Sequence, residues 1–216
     1  MGTGIWAIFY SLRETGKDEY LSWFHRVHVP AKLSRPGYTW ASHYQSVCRQ
    51  DEGLNEYLAL FGGESTRTFF DPSPKQLKKR QDEETHRMIG RRLETSTLIY
   101  TIEWQVEGSR DGEADAMQDP ILWIERFSDA ADAMDLEAWC AQERTRLAGR
   151  LPNCRRSRKL LAASGTPRHA VTFEFAEPDL HETGFLLLLQ EGAKGLKIPE
   201  GIRMQEAPFV GRRIWP

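Results

Sequence analysis

The hydrophobic and polar positions in the first half of the chain switch between the spacing of strands and that of a helix. Residues 5–12 form an aromatic and β-branched run, which predicts a strand. In residues 18–28 the bulky side chains recur every three or four positions, which predicts a helix. Similar patterns predict strands over 38–47, 56–63 and 95–106 and a helix over 73–94. The predicted order is therefore β-α-β-β-α-β.

Prolines and a serine predict where these helices begin and end. Pro30 lacks a backbone donor and is expected to end or kink the first helix. Pro36 and Gly37 predict a turn before the next strand. Ser73 is expected to cap the second helix, with Pro74 at its first position.

The second half repeats this order of elements at similar spacing. Trp139 follows Trp23 by 116 positions, and at the same offset the strand at 5–10 falls on residues 121–126. We predict strands over 120–128, 153–164, 168–177 and 202–212, and helices over 135–149 and near 180–190.

Each copy has the element order of the split β-α-β, or ferredoxin-like, unit. Such a unit carries its helices on one face of the sheet, so the other face needs a cover. We predict an α+β fold in which two tandem ferredoxin-like units pack sheet to sheet as an intramolecular α+β barrel. The expected units are residues 1–107 and 120–216, joined by a polar linker at 108–119.

Composition narrows the classes of function. Of 216 residues, 40% are apolar and 28% charged, which is typical of a globular protein, and the formal charge is −2. This charge gives no general attraction to nucleic acid or anionic membrane, so we expect neither as a partner. The basic run at 154–159 is interpreted as a strand edge guarded by charge.

The cysteines and the apolar runs suggest a cellular location. Cys48, Cys140 and Cys154 are odd in number and widely spaced, which argues against a disulfide framework. The longest purely apolar run, residues 185–189, is too short to span a bilayer. We expect a reduced, cytoplasmic protein that is a monomer with an internal pseudo-dimer, or a homodimer.

The motif around the first helix resembles a known family. Trp23-Phe24, His28, Pro30 and Pro36-Gly37, followed by a strand that contains Tyr44, resemble the dimeric α+β barrel superfamily, and within it the EthD-like proteins. The resemblance implies a cavity for a small hydrophobic or aromatic molecule. It also implies cofactor-independent chemistry of the kind found in polyketide cyclases and cofactor-free monooxygenases. A fold with so many activities does not fix one function.

Histidines are the first catalytic candidates because imidazole exchanges protons near neutral pH. His28 and His43 are the preferred acid/base pair, and His25 is a candidate for contact with substrate. Alternation places His43 and Tyr44 on opposite faces of their strand. His43 lies inside the barrel if the helices cover the face of Trp40. The alternative is that these histidines only pack.

Other side chains complete the candidate site. Glu103 is a candidate acid, because a dry cavity raises the pKa of a carboxyl group. The expected pocket walls are Trp23, Tyr44, Trp104 and Trp123.

Glu125 and Arg126 interrupt an apolar strand, so one of them is expected to be buried. At the offset of 116, Glu125 matches Phe9 and faces inward, where Arg155 or Arg158 is an expected partner. The asymmetry between the halves suggests one functional pocket.

Metal and cofactor sites have weaker support. His25 and His28 have the spacing of a zinc pair, but no third ligand stands at a telling distance in the sequence. Haem would need an axial histidine, for which His28 or His43 is available. We therefore predict no metal and no cofactor. The leading function is proton transfer on a small aromatic or polyketide-like substrate, and the alternative is a non-catalytic ligand-binding or structural protein.

Overall fold

The computed structural model describes residues 2–47, 53–110, 117–127, 133–176, 199–200, 202–204 and 208–215. The strands are β1 Gly4–Arg13, β2 Tyr38–Ser46, β3 Leu54–Gly63, β4 Leu93–Glu107, β5 Ile121–Phe127, β6 Cys154–Ser164, β7 His169–Phe175 and β8 Phe209–Trp215. The α-helices are α1 Lys17–Trp23, α2 Val29–Leu33, α3 Pro74–Lys78, α4 Glu83–Ile89 and α5 Ala133–Trp139. Cys48, the helix predicted near 180–190 and half of the predicted linker, residues 111–116, lie outside the described residues.

The strands close into an antiparallel barrel in the order β1-β3-β2-β8-β5-β7-β6-β4. The first four strands stand in the order β4-β1-β3-β2, and the last four in the equivalent order β8-β5-β7-β6. The pairs β2–β8 and β4–β6 join the two sets. The predicted α+β barrel is confirmed. None of the described helices is long and apolar enough to cross a membrane.

The side chains pack in one layer inside the barrel and two layers outside it. The inner layer contains alternate residues of β1, including Ile5, Ala7 and Phe9, together with Tyr44 of β2. The first outer layer packs Trp6, Ile8 and Tyr10 against Trp23, Phe24 and their neighbours; the second packs β5 and β7 against α5. The helices therefore cover the face of β2 that carries His43, and Tyr44 lies inside the barrel. The sequence placed His43 inside the barrel only if the helices covered the face of Trp40. They cover the opposite face, so His43 lies outside the barrel, beneath the helices.

The first helix does not end at Pro30. It continues from α1 through a π-helical turn, Phe24–His28, into α2. The second half has a π-helical turn at Cys140–Arg144, 116 positions later, where Arg146 replaces Pro30. The proline is therefore not needed for the turn. Because π turns are rare and are often found at functional sites, their recurrence marks this position in both halves.

The helix predicted over 73–94 is two helices, α3 and α4. The predicted cap is present, since the Ser73 side chain and Gln76 form a reciprocal capping box with Pro74 at the first helical position. Asp82 caps α4 through the backbone N–H of Thr85, which explains the break between the two helices.

Ladder partners correct the alignment of the first strands. His43 pairs with Ala59, which pairs with Ile8. In the second half Lys159 pairs with Val171, which pairs with Glu125. Glu125 is thus the counterpart of Ile8 and not of Phe9, so it faces the helices rather than the barrel interior.

The basic run at 154–159 is also placed differently from the prediction. It belongs to β6, which lies between β4 and β7 in the closed barrel and has no free edge. Arg156, Arg158 and Lys159 are buried. These cations therefore serve the interior of the protein and do not protect a strand edge.

Candidate functional site

A chain of three hydrogen-bonded side chains lies between the first sheet half and its helices. The Tyr10 hydroxyl is 2.7 Å from Nε2 of His43, and Nδ1 of His43 is 2.8 Å from Nε2 of His25. Tyr10 and His43 are buried, whereas His25 is half-buried beside Trp215. The chain therefore connects a buried phenol to the edge of the protein.

Aromatic rings and one arginine surround this chain. Tyr57 stacks on both Tyr10 and His43, with centroid separations of 5.5 and 5.4 Å. The Arg92 guanidinium lies 4.7 Å from the centre of the Tyr10 ring, and its Nε donates to the Tyr20 hydroxyl at 2.6 Å. A fixed cation on an aromatic face favours negative charge that develops beside it.

Burial sets the charge of the histidines. Burial lowers the pKa of His25 to about 4 and that of His28 to about 2, and it holds the pKa of His43 well below the ordinary value. Burial likewise raises the pKa of Tyr10 above its ordinary value. The chain is therefore uncharged near neutral pH. Each neutral imidazole can then accept a proton at one nitrogen and donate one at the other.

His28 does not join this chain. It packs against Trp23 and Phe24, at centroid distances of 4.8 and 5.5 Å, and Phe24 packs in turn on His43 at 4.7 Å. Trp23 lines a surface groove of about 320 Å³ between α1 and α4, together with Val27 and Met88. The preferred pair of His28 and His43 is thus separated by a phenyl ring, and the direct partner of His43 is His25.

Glu103 lies on β4 of the first half, and its side chain contacts residues of the second half. Its Oε2 accepts from the Lys159 ammonium at 2.8 Å, and that ammonium also donates to Glu137 at 2.9 Å. His169 Nδ1 lies 2.8 Å from the same Glu137 oxygen, and Lys159 lies 5.4 Å from the centre of the Trp104 ring. Glu103 and Trp104 therefore belong to a charged cluster around Lys159, at the position equivalent to His43.

Of the remaining predicted residues, Trp123 and Glu125 lie beneath the helix of the second half, and Tyr44 lies inside the barrel. Glu125 pairs with Arg144 through two hydrogen bonds of 2.7 and 2.5 Å, and not with Arg155 or Arg158. Arg144 covers the Trp123 ring at 5.1 Å, so Trp123 packs against an ion pair. Tyr44, inside the barrel, donates to the backbone carbonyls of Met117 and Asp119.

Sequence reasoning missed Tyr10, Arg92 and Lys159. Tyr10 shares a face of β1 with Trp6 and Ile8. If it had been known that this face packs against the first helix, Tyr10 would have been a candidate. Lys159 carried a usable signal, because the offset of 116 aligns it with His43. Arg92 follows α4 and carried no signal in the sequence.

The geometry does not favour a metal or haem at the predicted histidines. Among the described residues no group of three or more His, Cys, Asp or Glu side chains could hold a metal ion. Both ring nitrogens of His43 already have hydrogen-bond partners, so neither is available to an iron atom. His28 is packed between aromatic rings.

Comparison with known proteins bears on the fold alone. No protein-family model and no curated protein matches the chain. A protein provisionally named a chlorite dismutase superimposes with a TM-score of 0.60 at 12% identity, covering 99% of this chain and 96% of its own. A provisionally named monooxygenase of Fusobacterium nucleatum gives 0.54 at 8%, covering 98% and 92%. An anthrone oxidase-like protein gives 0.51 at 10%, covering 99% and 91%. The chain thus shares its α+β barrel with proteins of several activities.

Proposed function

We propose that this protein is a cofactor-independent enzyme that transfers protons to and from a small aromatic or polyketide-like substrate. We further propose that its barrel is a tandem pair of ferredoxin-like units of the EthD-like kind. The observation that carries the activity is the Tyr10–His43–His25 chain, in which every hydrogen bond is 2.8 Å or shorter. A buried polar chain with one end near solvent is suited to moving a proton.

The chain can operate in either direction without a charged resting state. When the Tyr10 hydroxyl donates to His43 Nε2, the Nδ1 proton of His43 points to His25. Loss of a proton by His25 to solvent and passage of the others along the chain would leave Tyr10 able to accept a substrate proton. The reverse order delivers a proton to the substrate. Tyr10 is thus the group that meets the substrate, and His25 the exchange point.

Two polar atoms beside Tyr10 have no hydrogen-bond partner in the described part of the chain. They are Nη2 of Arg92 and the hydroxyl of Tyr57, and both are buried. Buried donors normally have partners, so these two are available to an oxygen of the substrate. An enolate or phenolate oxygen would receive both hydrogen bonds and the charge of Arg92.

Among proteins of similar fold, the anthrone oxidase-like protein is named for an aromatic compound, which agrees with the proposed substrate class. Fold alone does not assign a reaction, so this likeness supports the proposal only in a general sense. The proposed partner is a small aromatic molecule. The cytoplasmic location, the absence of nucleic-acid and membrane partners, and the oligomeric state stay predictions.

A second candidate function is binding of a small ligand without chemistry. The groove beside Trp23 favours it, because the groove combines apolar Trp23, Val27 and Met88 with charged side chains and lies apart from the hydrogen-bonded chain. A ligand held there would contact Trp23 and Met88 and would not need His43.

Deuterium exchange distinguishes the two. A panel of cyclic 1,3-diketones, anthrones and naphthols would be incubated with the protein in D₂O, and exchange at carbon followed by NMR. We expect wild type to accelerate exchange in at least one compound, and His43→Phe to lose the effect. His86→Gln, an exposed histidine on α4, is the matched control and should retain it. Binding without exchange would favour the second candidate, and exchange that survives His43→Phe would refute the proposed chain.

A further inference from the structure

The surface groove between the first helix and α4 is open to solvent and has a volume of about 320 Å³. On the first helix it is lined by Trp23 and by Arg26 and Val27, which follow Trp23 by three and four positions and so share its face. Glu84 and Met88, four positions apart, line it from α4. This volume is at the lower end of the range for ligand pockets, so the groove has room for one small molecule.

One end of the groove shows how the two helices are held together. Glu19, in the first turn of α1, accepts from Arg87 at 3.1 Å and from Arg91 at 2.6 Å. Arg87 lies in the last turn of α4, and Arg91 follows that helix. The start of the first helix therefore meets the end of α4, and the two helices run in opposite directions. Further along the first helix, Arg26 lies opposite the start of α4, where Glu84 stands.

The other end of the groove carries opposite charges that do not meet. Arg26 and Glu84 both line the groove from opposite helices, and both are exposed. Within the described part of the chain, neither of them forms an ion pair. Glu19 is already neutralised by its arginines, whereas this cation and this carboxylate are available to the charges of a ligand.

The floor of the groove is apolar, and one apolar side chain beside it is uncovered. Trp23 and Met88 are nearly buried, whereas Val27 is 51% exposed. In the second half, 116 positions later, the equivalent of Val27 is Glu143, which is also exposed. The π turn therefore does not need an apolar residue at this position. A valine here extends the apolar surface that a ligand can remove from water.

These features define the chemistry of a ligand. Arg26 fits a carboxylate, which a guanidinium can bind through two parallel hydrogen bonds. Glu84 fits an ammonium group. Because Arg26 and Glu84 stand on opposite walls and do not contact each other, the two charges of the ligand belong at its two ends. The part between them is apolar, since it covers Val27 and the floor.

We propose that the groove between the first helix and α4 binds a small zwitterion that carries a carboxylate and an ammonium group at the two ends of an apolar body, as an ω-amino acid does. The carboxylate pairs with Arg26, the ammonium group pairs with Glu84, and the body covers Val27. This site is separate from the Tyr10–His43–His25 chain and does not require the proposed proton transfer.

Titration of the full chain with 6-aminohexanoate, hexanoate and hexylamine, followed by NMR of the backbone amides, tests this site. All three should shift the Val27 amide saturably. We expect 6-aminohexanoate to bind most tightly, because it alone engages both charges. Exposed ion pairs are weak, so each charge should raise the affinity about two- to fivefold. Equal affinities for the three compounds, or no saturable shift at Val27, would overturn the proposal.

Variants that remove one charge assign each end of the ligand. Glu84→Gln should weaken 6-aminohexanoate and hexylamine about two- to fivefold and leave hexanoate unchanged. Arg26→Gln should weaken 6-aminohexanoate and hexanoate and leave hexylamine unchanged. Glu83→Gln is the matched control, because Glu83 is an exposed neighbour on α4 that does not line the groove. Losses that do not follow the charge of the compound, or an equal loss in the control, would show that the charges act from elsewhere.

Sedimentation velocity distinguishes a small ligand from a second copy of the chain. Val27→Glu introduces the residue type of the second half and should weaken hexanoate without changing the mass of the particle. A dimer that this variant dissociates would assign the groove to an interface between copies and overturn the proposal. Deuterium exchange uses other compounds, so exchange without groove binding would refute this site alone, and groove binding without exchange would refute the proton chain alone.

Discussion

The two halves of this barrel place very different chemistry at one structural position. His43 and Lys159 occupy equivalent sites on β2 and β6, each beneath a helix that contains a π turn. His43 belongs to an uncharged chain that reaches half-buried His25, whereas Lys159 contacts two carboxylates and a histidine. An ion cluster holds its charges in fixed pairs, whereas an uncharged chain with an open end can exchange protons. The comparison therefore favours the first half as the place of the proposed proton transfer.

The largest expected effect is on stability in the second half. Lys159→Met leaves Glu103 and Glu137 close together without their cation, so we expect a loss of about 3–5 kcal/mol in the free energy of unfolding. His43→Phe removes only neutral hydrogen bonds and should cost about 1–3 kcal/mol. Urea denaturation of both variants measures the difference. Similar losses would mean that the two positions are equally structural.

The sequence was sufficient for the order of the described strands, because strands and helices differ in their spacing of apolar residues. It was not sufficient for the faces of β1 and β5, whose residues are buried on both sides apart from Arg13. A strand with two buried faces shows no alternation, so its register cannot be read from hydrophobicity. This is why the ungapped offset aligned Glu125 with Phe9 rather than with Ile8.

The candidate site was predicted only in part, for a related reason. His25, His28 and His43 were recognised as chemistry-bearing, whereas Lys159 was not. Which histidine meets His43 depends on how the helix is rotated over the sheet, and the π turn changes that rotation. Tyr10 and Arg92 come from other elements, and only tertiary packing brings them to His43.

An intermediate effect is expected from pH, with opposite signs in the two halves. Burial lowers the pKa of His28 to about 2, so below pH 6.5 the unfolded chain binds a proton that the folded protein does not, and stability falls. Burial raises the pKa of Glu174 to about 7, so the folded protein binds its proton first as the pH falls, and stability rises. Each full proton difference changes the free energy of unfolding by about 1.4 kcal/mol per pH unit.

Denaturant unfolding between pH 6.5 and 5 separates these contributions. His28→Phe should make stability fall less steeply with decreasing pH than in wild type. Glu174→Gln should make it fall more steeply. Tyr10→Phe keeps all the titrating groups named here and serves as the control. An unchanged slope in His28→Phe would show that His28 is protonated in the folded protein.

The smallest expected change in stability gives the sharpest test of the first half. Tyr10→Phe removes one hydroxyl and its 2.7 Å hydrogen bond to His43, so we expect a loss of only about 1 kcal/mol. The same change removes the group that we propose meets the substrate, and deuterium exchange should fall about 100-fold or more. In the second half we expect the opposite combination. Lys159→Met should lose much of its stability, yet the folded variant should catalyse deuterium exchange as wild type does. If Tyr10→Phe retained full exchange, the proton would enter the chain elsewhere, and Tyr10 would be a packing residue like Phe24.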